Sequence, residues 1–313
     1  MNESAVGDEM GGRYQLLRRL GEGMMGCVWE GRDLHLERPV AVKTVAAGLL
    51  AGAEGRSRAL ARFHREAKAA ARLDHPNVTT VYDADVIGDT CWLVMQLVDG
   101  TTLEYLFDAQ PGERFDVATA ACLAAQLCAG LSAVHQAGLV HRDLKPENVM
   151  VRQDGLVKVL DFGLVKVLSE ADPALTRTGE SVGNLVYASP ELLTGADGLD
   201  SRSDLYALGC LLHHMLAGTP PFPARQPALL VSCHLDQSPP PVADSGVDIP
   251  EPLQGLLSAL LAKSPLARPS SCAEVYAALV PYLPAPDYAL ALRPALPEDP
   301  RRPFLLPQGP RLV

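Results

Sequence analysis

The chain has 313 residues, 48% of them hydrophobic and 20% charged, the composition of a folded protein of about two ordinary domains. Its formal charge is −10, from 27 Lys and Arg against 37 Asp and Glu. That balance argues against nucleic acid or an anionic membrane as the main partner, because such a partner's phosphates would be repelled by the protein's own field.

The seven cysteines, Cys27, Cys91, Cys122, Cys128, Cys210, Cys233 and Cys272, are odd in number and lack C-x-x-C spacing. Neither a disulfide framework nor a zinc knuckle is expected, and reduced thiols point to a cytoplasmic protein. The N-terminal MNESAVGDEM is acidic and polar, unlike a signal peptide.

In chain order, residues 1–12 read as a disordered lead-in. Residues 13–98 hold short β-type runs: RYQLLRRL, CVWEG, PVAVKTV, VTTVYDADV and CWLVMQLV. One helix interrupts them from about Ser57 to Leu73, with Phe63, Glu66, Ala67 and Ala70 on one face, and DHPN at 74–77 stops it. Residues 99–283 change to helical patterns at about 102–108, 116–137, 203–217, 251–262 and 271–282. Two β-like pieces, NVMV and LVKVL, lie near 148–160.

The run from Val117 to Val134 is long enough to span a membrane. Thr119, Gln126, Gly130 and Ser132 interrupt it, so a buried helix and no membrane span is the expectation. Residues 284–313 are proline-rich and aperiodic, an extended tail. It is either a solvated end or a docking peptide, for a partner or for the chain's own lobes. His213 and His214 are adjacent on a predicted helix and face different ways, as packing residues do and a metal pair does not.

The glycines of GEGMMGCVWEGRD, Gly21, Gly23 and Gly26, form G-x-G-x-x-G. A dinucleotide fold would need a helix after the last glycine. Here Val28, Trp29, Val40 and Val42 favour strands, so the loop joins two antiparallel strands in a hairpin over phosphates. V-A-V-K at 40–43 strengthens that reading by adding Lys43.

HRDLKPENVM follows at 141–150 and DFG at 161–163. With these motifs in this order, the sequence resembles the eukaryotic-type (Hanks-type) Ser/Thr protein kinase family, most closely its bacterial branch, from about Arg13 to Leu283. The resemblance implies an α+β, bilobal protein-kinase fold. Residues 13–98 would be a small antiparallel β-sheet lobe with one key helix, and residues 99–283 a larger, mainly helical lobe.

The resemblance also assigns roles. Lys43 would pair the α- and β-phosphates of ATP, held by Glu66. Asp143 would orient the substrate hydroxyl, and Lys145 would add positive charge. Asn148 and Asp161 would hold Mg²⁺, with Mn²⁺ as an alternative. Leu20, Val28, Ala41 and Met150 would sandwich adenine under a Met95 gatekeeper, with the backbone of Gln96 and Val98 bonding its edge. Gly21, Gly23 and Gly26 would cover the phosphates, with Met24 and Met25 at the flap tip. Glu191 and Arg268 would form a buried ion pair, and Asp204 would hold the catalytic loop.

DLKPEN implies protein substrates phosphorylated on Ser or Thr. Arg142 before Asp143 implies switching by activation-loop phosphorylation at Thr176 and Thr178, with a kinase homodimer for trans-autophosphorylation. One departure stands at Asn184, in GNLVY, where relatives usually have threonine. It leaves open a catalytically weak or inactive nucleotide-binding scaffold.

Overall fold

The computed structural model describes residues 5–23, 26–46, 53–87, 90–109, 114–161, 182–196, 198–223, 226–286 and 299–305. They fall into two compact units. The first takes the described residues up to Asp74 together with Thr79–Val98; the second takes His75–Val78 and those from Asp99 onward.

The first unit is an antiparallel sheet of β1 (Glu9–Met10), β2 (Tyr14–Gly23), β3 (Gly26–Asp33), β4 (Arg38–Ala46), β5 (Val81–Ile87) and β6 (Thr90–Gln96), in the order β1-β2-β3-β4-β6-β5. Alternation sorts its side chains. Tyr14, Leu16, Trp29, Val40, Val42, Trp92 and Val94 bury themselves in one cluster. The Asp33 carboxylate, buried at the end of β3, accepts from both Arg13 Nε and Nη2 at 2.8 Å. That guanidinium holds its pKa well below the usual carboxylate range.

Two expectations need correction here. The stretch read as a disordered lead-in contributes β1, with Met10 buried and paired opposite Tyr14. The helix α1 runs Ala53–Ala70, starting before Ser57 and stopping short of Leu73. Its end tightens through Arg72 N to Ala69 O (3.2 Å) and Leu73 N to Ala70 O (3.0 Å) before the proline is reached. Phe63, Ala67 and Ala70 are its buried face, and α1 packs on β5.

The second unit is built on α3 (Val117–Gln136), with β7 (Gly100–Thr102), α2 (Leu103–Ala109), and the hairpin β8 (Val149–Arg152) and β9 (Val157–Val159) beside it. Asp116 caps α3, its side chain accepting from Thr119 N at 3.0 Å. Long and apolar enough to cross a membrane, α3 is instead buried continuously from Ala120 to Leu131 as a core helix. Its small residues admit close neighbours: a Cβ on Gly130 would stand 2.9 Å from the carbonyl oxygen of Asn77.

After α4 (Val182–Leu185) and α5 (Pro190–Thr194) come α6 (Arg202–Ala217), α7 (Pro227–Asp236), α8 (Glu251–Leu260) and α9 (Cys272–Leu279). The helix α7 was not apparent from periodicity; Pro227 at its first position is a helix starter that reads equally well as a loop signal. The tail is not uniformly extended either. Arg302–Leu305 form the short α10, with Phe304 and Leu305 buried.

Candidate active site

The expected site residues form two groups, one in each unit. In the first, β3 pairs Val28 with Lys43 of β4, and β4 pairs Ala41 with Met95 of β6. Paired residues share a face, so Val28, Ala41, Lys43 and Met95 lie together on the side opposite the Trp29–Val42–Val94 core. Strand β6 ends at Gln96, and Val98 lies beyond it outside the ladder. Leu20 falls at a register shift between Arg19 and Gly21 and is 41% exposed. Glu66 stands on α1 beside buried Phe63 and Ala67, and its Oε1 accepts from Arg62 Nε at 3.2 Å.

The glycine motif is an antiparallel hairpin, with Gly23 opposite Gly26. Its glycines differ in what they permit. A Cβ on Gly21 would meet open space, whereas one on Gly26, at φ 148°, would overlap the Thr44 carbonyl of β4. Gly26 is therefore required by the sheet itself.

In the second unit the catalytic-loop residues gather within one short segment. Asn148, buried at the end of the Pro146–Asn148 3₁₀ turn, donates through Nδ2 to the Asp143 carbonyl at 2.7 Å and to Asp143 Oδ2 at 3.0 Å. Lys145 Nζ stands 3.8 Å from the same Oδ2. Met150, on β8, faces away from buried Val149 and Val151.

Asp161 is brought to this loop through its neighbour Leu160. Leu160 N donates to Asn148 O at 2.9 Å, and Leu160 O accepts from His141 Nε2 at 2.8 Å. Asp143 N in turn donates to His141 Nδ1 at 3.3 Å, so the hydrogen bonds assign His141 as the neutral Nε2–H tautomer. The sequence reading left His141 without a task; here it joins the two motifs.

Two non-glycine residues have left-handed backbones in this region, Arg142 at φ 62° and Asp161 at φ 51°. Such strain persists only where surroundings hold it. Asp204 does so for Arg142: Oδ1 accepts from Arg142 N at 2.8 Å, while Oδ2 accepts from His141 N at 2.8 Å and lies 2.7 Å from His135 Nε2. Burial opposes the charge on Asp204, but these donors outweigh it and lower its pKa.

His135 Nδ1 also lies 3.5 Å from Cys272 Sγ, so a Cys–His–Asp row exists. The thiol is buried and burial pushes its pKa up, so it packs and does not react. His213 and His214 are packing residues as well. His213 Nδ1 lies 3.0 Å from Thr219 O, and the His214 ring stacks on Phe107 at 3.8 Å.

Arg268 and Glu191 make the paired hydrogen bonds expected of them. Met24, Met25, Thr176 and Thr178 lie outside the described residues.

A glycine hairpin feeding a lysine strand, and an HRD loop tied to a DFG aspartate, are the parts of a protein kinase. The chain matches the protein kinase domain over residues 14–279 and belongs to that family. Its fold is accordingly the α+β protein-kinase fold, a small sheet lobe and a larger helical one.

Among relatives, it is 37% identical over 276 residues to the serine/threonine-protein kinase PknB of Mycolicibacterium smegmatis, covering 86% of this chain and 42% of that protein. It is 37% identical over 279 residues to PknJ of Mycobacterium tuberculosis, covering 87% and 46%. The chain thus spans less than half the length of these relatives. The crystal structure of the Mycobacterium tuberculosis PknI kinase domain matches with a TM-score of 0.70 at 29% identity, covering 90% of this chain and 100% of that one.

Proposed function

We propose that this chain is a protein Ser/Thr kinase that transfers the γ-phosphate of ATP to Ser and Thr hydroxyls of proteins, including Thr176 and Thr178 of its own activation loop. The observation that carries the reading is the short circuit of contacts among Asp143, Lys145 and Asn148, closed onto Asp161 through Leu160.

Phosphoryl transfer asks a protein for positioning and charge neutralisation more than for covalent chemistry. Asp143 accepts a hydrogen bond from the incoming hydroxyl and aims its oxygen in line with the γ-phosphate. Lys145 adds positive charge beside the transferring group. Lys43 pairs the α- and β-phosphates, and Glu66, already a partner of Arg62, is the carboxylate that orients it. Val28, Ala41 and Met95, with Leu20, offer adenine an apolar sheet face.

The donor set suits Mg²⁺, which prefers oxygen and retains phosphate and water among its ligands. Asn148 and Asp161 supply oxygens. When bound, the ion neutralises charge on the phosphates; Mn²⁺ shares its oxygen preference.

The test is transfer of labelled γ-phosphate from ATP to the chain itself and to a generic protein substrate. Wild type labels both, and Asp143→Asn lowers the rate by about 100-fold or more. Equal absence of label in the two overturns the proposal.

One observation favours a second reading, a nucleotide-binding scaffold with weak transfer: Asn184, in α4, takes the place where relatives usually have a threonine. ATP-dependent thermal stabilisation without turnover supports it. Raised turnover in Asn184→Thr instead shows an active enzyme tuned by a longer, bulkier amide.

A further inference from the structure

Gln126 is fully buried in the middle of α3, yet each of its polar atoms makes two hydrogen bonds. Its Oε1 accepts from Asn77 Nδ2 at 3.0 Å and from Val157 N at 2.9 Å. Its Nε2 donates to Gly155 O at 3.1 Å and to Pro300 O at 3.0 Å. The last of these partners belongs to the tail, 174 residues away in sequence. Take the tail away and a buried N–H loses its acceptor.

The turn between β8 and β9 is shaped for the same segment. Gly155 has φ 80°, and a Cβ there would overlap the carbonyl group of Asp299. The tail backbone therefore lies directly on a glycine that leaves it room. Beyond that contact the segment is locally organised. Asp299 Oδ1 accepts from Arg301 N at 3.0 Å, and Asp299 O accepts from Arg302 N at 3.1 Å. One turn of helix then delivers Phe304 and Leu305 to buried positions, at 8% and 6% exposure, with Phe304 joining the main core of the second unit.

We propose that the surface between the middle of α3 and the β8–β9 turn is a peptide-docking groove, and that its occupant is residues 299–305 of this same chain. Recognition uses a main-chain carbonyl on Gln126, a close backbone approach over Gly155, and a Phe–Leu pair one helical turn later. These are the features of a short linear peptide bound to a domain, with backbone acceptors setting register and two apolar anchors setting identity. The groove is independent of the kinase reaction, and its test needs no turnover.

The test uses full-length protein. Trypsin cuts the Arg301–Arg302 bond only where the segment leaves the groove. Gly155→Asn keeps the turn, since asparagine tolerates positive φ, but puts a Cβ where the Asp299 carbonyl lies. The expected result is cleavage at Arg301 at least fivefold faster in Gly155→Asn, with cleavage at exposed Arg72 unchanged. In a second arm, a fluorescent peptide of residues 299–305, DPRRPFL, is titrated onto Phe304→Ala/Leu305→Ala protein. It binds saturably and at least tenfold tighter than to wild type, and adding Gly155→Asn abolishes that binding.

Equal cleavage of wild type and Gly155→Asn at Arg301 overturns the proposal. So does peptide binding that ignores Gly155→Asn. Protection of Arg301 that grows with protein concentration assigns the occupant to a second copy, and overturns docking within one chain.

Discussion

Arg268 holds Glu191 through two parallel hydrogen bonds, Nη1 to Oε1 at 2.7 Å and Nη2 to Oε2 at 2.9 Å, although 77 residues separate them. The guanidinium spends its other N–H groups on the carbonyls of Arg202, Ala262 and Lys263, and Ser203 Oγ donates to Glu191 Oε1 at 2.6 Å. Three chain segments of the helical unit, at Glu191, Arg202 and Ala262–Lys263, thus meet on one buried cation.

Breaking such a pair strands the remaining charge, which costs more than the pair itself contributes. Arg268→Ala should lower the unfolding free energy by about 3–5 kcal/mol in urea titration. The double variant Glu191→Leu/Arg268→Met should recover much of that loss, because no buried charge is left over. A loss below about 1 kcal/mol for Arg268→Ala would show the pair to be only a surface contact.

His214 gives the protein an acid-sensitive stability. Burial, and then neighbouring His213, push its pKa down to about 4, and the Tyr187 hydroxyl lies 2.8 Å from its Nδ1. In the unfolded chain a histidine titrates near ~6.5, so the unfolded state takes up the proton first as pH falls. The stability held by neutral His214 is therefore complete above about pH 6.5 and is lost between there and about pH 4. His234 is also lowered to about 4 by burial and adds to the same window. The melting temperature should fall across it, and His214→Phe, which keeps the stack on Phe107, should flatten the profile without abolishing it.

Asp204 is a positioning residue, and its loss should be felt in turnover before binding. Its carboxylate accepts from the main-chain N–H groups of His141 and of the left-handed Arg142, each at 2.8 Å. Asp204→Ala should reduce kcat by about 100-fold while the KM for ATP changes by less than about threefold. A matching loss of folded protein by circular dichroism would mean that general unfolding, not loop geometry, is responsible.

The two outer glycines of the hairpin should separate by substitution. Gly26→Ala collides with the Thr44 carbonyl and should cost about 3 kcal/mol or more in stability. Gly21→Ala meets open space and should leave the melting temperature within about 2 °C, while weakening ATP binding. A fully stable Gly26→Ala protein would contradict the strand contact described above.

Much of this molecule was legible before folding was considered. Alternation in PVAVKTV separates Val40 and Val42 from Ala41 and Lys43, so the two sheet faces follow from period-2 geometry. Strands on both sides of G-x-G-x-x-G dictated a hairpin, which the pairing of Gly23 with Gly26 bears out. The motif residues from Asp143 to Asn148 are close in sequence, so their proximity is nearly automatic.

Other features depend on contacts that no local pattern encodes. Met10 forms a strand because Tyr14 and the edge of the sheet are there to receive it. Gln126 looked like a polar blemish in an apolar helix, and only Asn77, Val157 and Pro300 arriving from distant parts of the chain make it a hub. A single-turn α10 is too short to signal itself by periodicity; burial of Phe304 and Leu305 is what stabilises it. Sequence by itself determined the long helices, the main strands of the sheet and the chemical groups they carry, because those follow from local sterics and hydrophobic period. Tertiary structure alone decided which buried polar groups find partners, because those partners lie tens to hundreds of residues apart.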